Sequence, residues 1–153
     1  MEIKVEEKNK KNAQILKSLY TSKFSDLTMF LLYKYENYIF IEKDSYFSKN
    51  MNKLSKDCLI HFEIIGRIIA LLGGAPDHID FKVEDVFYSN DKTKLIEINI
   101  RLTKEKIILY TKALNEIEDK YIKEILTKFI LEERTNLEIL ELMQLKNKRK
   151  SSK

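Results

Sequence analysis

The sequence predicts an all-α protein, an antiparallel four-helix bundle with one long crossover between helices two and three. Three observations lead to this fold class. Only 3 glycines and 1 proline occur in 153 residues, which leaves few positions for tight turns. Apolar residues recur at three- and four-residue steps through four segments. Short links join the first two and the last two segments, whereas the middle link is long, which is the connectivity of a bundle with one crossover.

The boundaries of the helices follow from the apolar stripes and from the residues that interrupt them. Asp44 and Ser45 offer a stop for helix one and a cap for helix two. The run Gly73-Gly-Ala-Pro76 ends helix two, because glycine adopts the left-handed cap conformation and proline cannot continue a helix. Residues 77–90 show no sustained helical period and form the predicted crossover. The four predicted helices cover residues 12–41, 45–72, 92–117 and 120–145.

Composition and charge predict one domain and exclude several classes of protein. Residues 12–145 form the predicted bundle, residues 1–11 a charged N-terminal segment, and residues 146–153 a basic disordered tail. The net charge of +4 comes from interspersed charges, so no basic face for nucleic acid is expected. No apolar run approaches the roughly 20 residues of a membrane span. One cysteine, Cys58, and a charged N-terminus without a signal-peptide core predict a cytoplasmic protein.

Six polar residues interrupt the inward-facing stripes, where an ionisable group must find a partner, shift its pKa or bind a metal. Cys58 and His61 are three residues apart on helix two, and Glu133 and Asn136 have the same spacing on helix four. Each pair therefore projects from one face of its helix into the same level of the bundle. The six residues are Asp26, Cys58, His61, Thr103, Glu133 and Asn136.

These positions resemble the rubrerythrin-type branch of the ferritin-like superfamily. The resemblance is carried by Cys58-x-x-His61, by the turn Leu72-Gly-Gly-Ala-Pro76 and by Glu133-x-x-Asn136. In that family two helices each supply one Glu and two each supply Glu-x-x-His, and together they hold two iron or manganese ions. The resemblance implies that Asp26 and Thr103 stand for the single glutamates, whereas Cys58 with His61 and Glu133 with Asn136 stand for the pairs.

Only His61 and Glu133 match the family's ligands outright, because Thr103 and Asn136 are weak neutral ligands at the positions for the second metal. The sequence therefore predicts that the dinuclear centre has been lost and that the protein has a non-catalytic structural or interaction role, with a homodimer as one arrangement. In that case a buried hydrogen-bond network joins His61 to Asp26 or Glu133, and Asn136 satisfies what remains.

Two alternatives bind metal. The first is a single iron, manganese or zinc ion held by Asp26, His61 and Glu133, with Cys58 as an additional thiolate ligand. The second is a residual iron or manganese oxidoreductase of the rubrerythrin type. No phosphate-binding loop, nucleophile elbow or Cys-x-x-Cys pair points to another enzyme class.

Three further residues are secondary candidates. Tyr33 and Tyr110 lie one helical step beyond Asp26 and Thr103, where their hydroxyls could bond to the site, although core packing is the preferred explanation for aromatic residues at this spacing. His78 lies in the turn region, and we expect it to be exposed and not to replace a missing ligand.

Overall fold

The computed structural model of the chain describes residues 2–151, except for the side chain of Ser151. The described residues form a helical bundle with no strand, as predicted, and a short 3₁₀ turn lies in the crossover at Val83–Asp85. The α-helices are α1 Lys10–Tyr20, α2 Asp26–Ile39, α3 Ser45–Leu71, α4 Lys92–Glu116 and α5 Lys120–Ser151. The boundaries of α3 and α4 agree with the predicted ones to within one residue.

The prediction of one continuous first helix was wrong, because the chain leaves the helical conformation between Tyr20 and Asp26. The hydroxyls of Ser25 and Thr28 both donate to the carbonyl of Ser22, at 2.8 Å and 2.6 Å. Ser25 also caps α2 by accepting from the backbone N–H of Thr28. Side-chain hydroxyls that bond to nearby backbone compete with helical hydrogen bonds, so this serine-rich stretch divides the predicted helix into α1 and α2.

Helix α3 ends as predicted, in a glycine turn that starts the crossover. Gly73 has a φ of +87°, a conformation that costs glycine little and other residues more. The N–H of Gly74 then donates to the carbonyl of Ile69 at 2.9 Å, which satisfies one of the last carbonyls of α3. The crossover returns along the bundle, with Val86 buried against it, and α4 begins at Lys92.

The helices pack as two antiparallel pairs, α2 with α3 and α4 with α5, while α1 lies mainly against α3. Their inward faces form two apolar clusters. Leu19, Ile68 and Ile122 belong to the first cluster, and Met51 and Leu95 belong to the second. Cys58 is in the second cluster, whereas Tyr110 and Phe129 are in the first. Between the two clusters, near the middle of the bundle, lies a layer of buried polar residues, namely Asp26, His61, Lys106 and Glu133.

Both ends of the described chain join the bundle. Ile3 and Val5 of the N-terminal segment pack against the first cluster, and the N–H of Glu6 donates to Asp119 at 2.7 Å. At the other end α5 continues through the basic residues as far as Ser151, so the segment predicted to be disordered is helical from residue 146 to 151; its last two residues lie outside the described residues. Among the described residues, no helix is both long and apolar enough to span a membrane.

Candidate functional site

Four of the predicted site residues converge in the buried polar layer. Asp26 opens α2, Cys58 and His61 lie on α3, and Glu133 lies on α5; all four are at most 2% exposed. His61 Nδ1 is 3.6 Å from Asp26 Oδ1 and 3.5 Å from Glu133 Oε1. Ligand atoms of Asp26, Cys58 and Glu133 lie within 4.8 Å of one another, close enough to hold one metal ion.

Lys106 of α4, which was not predicted as a site residue, occupies the centre of this layer. It is only 1% exposed. Its Nζ forms ion pairs with Asp26 Oδ1 and with Glu133 Oε1, the latter at 2.8 Å. The same Nζ donates to Cys58 Sγ at 3.5 Å. The ammonium therefore contacts the same three side chains that could share a metal ion.

The charges within the layer balance. Burial alone would raise the pKa of Glu133, but Lys106 and His61 outweigh it and lower that pKa to about 2. Burial would lower the pKa of His61, but the carboxylates of Asp26, Glu132 and Glu133 raise it to about 10. His61 is therefore an imidazolium at neutral pH. Among the buried groups, the two carboxyl groups of Asp26 and Glu133 thus face the two cations Lys106 and His61, while Glu132, which pairs with His61 Nε2, is partly exposed at the edge of the layer.

Burial sets the state of the two remaining titratable groups. The pKa of the Cys58 thiol is raised well above its usual value because burial disfavours the thiolate, although Lys106 acts in the opposite direction. Burial also raises the pKa of Tyr110 well above 10. Both groups are neutral near pH 7, so Cys58 lacks the thiolate character of a reactive cysteine.

Tyr110 and Phe129 hold His61 in place. The Tyr110 hydroxyl donates a short hydrogen bond to Asp26 Oδ2 and lies 3.4 Å from His61 Nδ1. The Phe129 ring stacks on the imidazole with centroids 3.9 Å apart. On its other side, His61 Nε2 donates to Glu132 at 2.6 Å. Tyr110 thus contacts the site, as the sequence allowed.

A cleft of about 370 Å³ between α3 and α5 connects His61 with the surface. Its lining mixes both signs of charge, with Lys53 beside Asp57 on α3 and Lys128 beside Glu132 on α5. Asn136 lies in this cleft, where its side chain bonds to Lys53 and Asp57 at 3.3 and 3.4 Å. The prediction that Asn136 completes a network around His61 was wrong, because Glu132 makes that contact instead.

Thr103 also lies away from the carboxylates. Its hydroxyl donates to the carbonyl of Asn99 at 2.7 Å and lies 3.3 Å from the Tyr33 hydroxyl. Tyr33 therefore contacts Thr103 rather than an acidic residue of the layer. His78, near the start of the crossover, is exposed, as expected. Its Nε2 lies 2.9 Å from the hydroxyl of Tyr20.

A second buried polar pair, also not predicted, lies further along the bundle between α2 and α4. Glu36 and Asn99 are both fully buried, and Asn99 Nδ2 donates to Glu36 Oε1 at 2.7 Å. Glu36 Oε2 and Asn99 Oδ1 have no partner among the described residues. Burial raises the pKa of Glu36 to about 8, against the smaller opposite effect of Asn99. Glu36 is therefore mostly protonated at neutral pH.

Comparison with known proteins identifies the fold. No family model and no curated protein matches the sequence. Among solved structures, a manganese catalase from Anabaena matches with a TM-score of 0.82 and 15% identity, over 92% of this chain and 74% of that one. A bacterioferritin from Desulfovibrio desulfuricans, whose structure describes a diiron site, matches with a TM-score of 0.76 and 21% identity, over 91% and 81% of the two chains. Identities this low establish the architecture alone, and the chain therefore has a ferritin-like four-helix bundle fold.

Proposed function

We propose that this protein keeps the ferritin-like fold but has lost the dinuclear metal centre, and that it acts in a non-catalytic structural or interaction role. The observation that carries the proposal is the position of Lys106 Nζ among Asp26, Glu133 and Cys58. An ammonium group has three donors and no acceptor, so it cannot serve as a ligand.

Charge gives the physical reason. In a dinuclear centre, carboxylates neutralise two divalent ions, whereas this layer has two buried carboxylates that Lys106 and His61 already neutralise. A metal ion would compete with the ammonium for the same oxygens and would bring excess positive charge into a buried site. Thr103 and Asn136, at the positions for the second metal, point to other partners. The residues present therefore do not fit a dinuclear centre.

The second candidate is a protein with one bound iron, manganese or zinc ion. It is favoured by the short distances that separate the ligand atoms of Asp26, Cys58 and Glu133 and by the proximity of His61 Nδ1 to both carboxylates. A single ion in this place requires Lys106 to leave its ion pairs. Since Lys106 is 1% exposed, its ammonium would lose both ion pairs without gaining solvent, so the metal-free protein is the better supported of the two.

Metal analysis of the purified protein tests the proposal. The chain is expressed with added iron, manganese and zinc, purified without chelator, and compared with His61→Ala by elemental analysis. We expect far less than one equivalent of metal per chain, no consumption of hydrogen peroxide or oxygen, and the same Tm with and without chelator. One equivalent that is lost in His61→Ala would favour the single-ion alternative. Two equivalents with peroxide consumption would refute the loss of the centre.

The proposal also includes a cytoplasmic location and a homodimer. Exposed apolar side chains on three different helices, such as Tyr38, Ile60 and Leu131, offer surface for self-association. Light scattering of the purified chain measures its mass in solution. A mass of one chain at high micromolar concentration would refute the dimer.

A further inference from the structure

Lys106 occupies the place of a ligand-bound cation, and we infer that it closes a latent site for one divalent metal ion formed by Asp26, Cys58 and Glu133, with His61 beside them. The inference rests on the proposed function, in that the wild type is taken to be free of metal. It adds that one side chain keeps the metal out, and that the remaining ligands are already in place.

The contacts of Lys106 support this assignment. Its Nζ forms ion pairs with Asp26 Oδ1 and Glu133 Oε1 and bonds to Cys58 Sγ at 3.5 Å. Ligand atoms of the same three residues converge within 4.8 Å. His61 Nδ1 approaches the same two carboxylate oxygens at 3.6 and 3.5 Å. The ammonium therefore lies where an ion bound by these residues would lie.

Without the Lys106 ammonium, the site would lose one of the two positive charges that face its carboxylates. Asp26 and Glu133 would remain as two carboxylates at most 2% exposed, with His61 as their nearest cation. Buried carboxylates without cationic partners are strongly unfavourable, so they either take up protons or bind a cation that the site can admit. The surface cleft between α3 and α5 reaches His61, the residue beside these ligands.

The ligand types indicate which ions would bind. Two carboxylates, a thiol and an imidazole, the last two after each has released a proton to solvent on binding, are ligands that tetrahedral zinc uses. Cobalt(II) accepts the same set and, unlike zinc, absorbs visible light. A bond between Cys58 sulfur and cobalt also gives a charge-transfer band in the near ultraviolet, which identifies the thiolate as a ligand.

The test removes the ammonium in two ways. Lys106→Ala opens the space, and Lys106→Gln keeps a polar side chain that can donate to the carboxylates, so that one variant stays folded if the other does not. Both are titrated with cobalt(II), alongside the wild type and Lys104→Gln, which alters an exposed lysine of the same helix. Circular dichroism confirms folding before each titration, and Cys58→Ser is added to each Lys106 variant.

We expect the Lys106 variants to bind one equivalent of cobalt at least roughly 100-fold more tightly than the wild type, about 2.7 kcal/mol. The charge-transfer band should appear on binding and disappear with Cys58→Ser. Lys104→Gln should behave as the wild type. A folded Lys106 variant that binds cobalt no better than the wild type would refute the inference and leave the metal-free proposal intact. Tight binding by the wild type would refute the proposed function itself.

Discussion

The buried pair Glu36 and Asn99 leads to a measurable dependence of stability on pH. Glu36 is fully buried, its Oε1 accepts a hydrogen bond from Asn99 Nδ2, and its Oε2 has no partner among the described residues. The proposed perturbation is Glu36→Gln, which keeps the shape of the neutral acid but cannot ionise. The variant therefore separates the effect of the buried charge from that of packing.

The magnitude follows from the pKa of Glu36 in the two states. That pKa is raised from an ordinary 4.5 to about 8 in the folded protein, so between these values the folded state binds more protons than the unfolded state. The unfolding free energy therefore falls as pH rises through this interval, and the contribution of Glu36 is fully lost above pH 8. At 1.36 kcal/mol per pH unit, the loss reaches about 5 kcal/mol, an upper limit because water that enters the core would solvate the charge.

Urea unfolding at several pH values between 4.5 and 9 measures this loss. The difference between Glu36→Gln and the wild type should be small at pH 4.5 and should grow to several kcal/mol in favour of the variant by pH 9. Groups that titrate in both proteins cancel in this difference. Glu97→Gln, at an exposed position on α4, should show no such trend. A difference that stays constant from pH 4.5 to 9 would refute the reasoning.

Two further substitutions test the structure by urea or thermal unfolding. Tyr110→Phe removes the hydrogen bond to Asp26. It should destabilise the protein by about 1.5–3 kcal/mol, the usual contribution of a hydrogen bond to a charged group. A loss of stability below about 0.5 kcal/mol would mean that Tyr110 contributes through packing alone. Thr21→Val replaces a fully buried hydroxyl that has no partner among the described residues. It should raise the unfolding free energy by up to about 1 kcal/mol. A clear destabilisation would mean that the hydroxyl forms a hydrogen bond.

Much of the fold follows from the sequence because the long helices carry continuous apolar stripes. Helices α3 and α4 and the start of α5 lie where the periodicity predicts them. The break between α1 and α2 was missed, since the apolar residues on both sides keep nearly the same helical step. The signal that could have revealed it is the group Ser22, Ser25 and Thr28, whose hydroxyls bond to the backbone.

The candidate site was predicted in part. Asp26, Cys58, His61 and Glu133 converge as their positions on the stripes require. Lys106 was missed because lysine is rarely buried. Its position three residues after Thr103 and four before Tyr110 was the available signal. Which cation contacts which carboxylate depends on how far each side chain extends across the bundle. The spacing of residues within one helix does not contain that information.

Glu36 was missed for a similar reason. It continues the stripe of Asp26, Met29 and Tyr33 at a three-residue step, so its inward position was readable from the sequence. A glutamate near the end of a helix is usually solvated, however, and the burial of this one depends on Asn99 from a helix far along the chain.

The interruption of the first helix has an electrostatic consequence for Asp26. Because α2 begins at Asp26, the carboxylate belongs to the first turn of a helix, where free N–H groups and the positive end of the helix dipole favour an anion. Such a placement contributes up to about 2 kcal/mol in partly buried settings. In an unbroken helix the same aspartate would lie far from either end and lose this contribution. The kink at residues 21–25 thus gives the buried anion a source of stabilisation that depends on neither a lysine nor a metal.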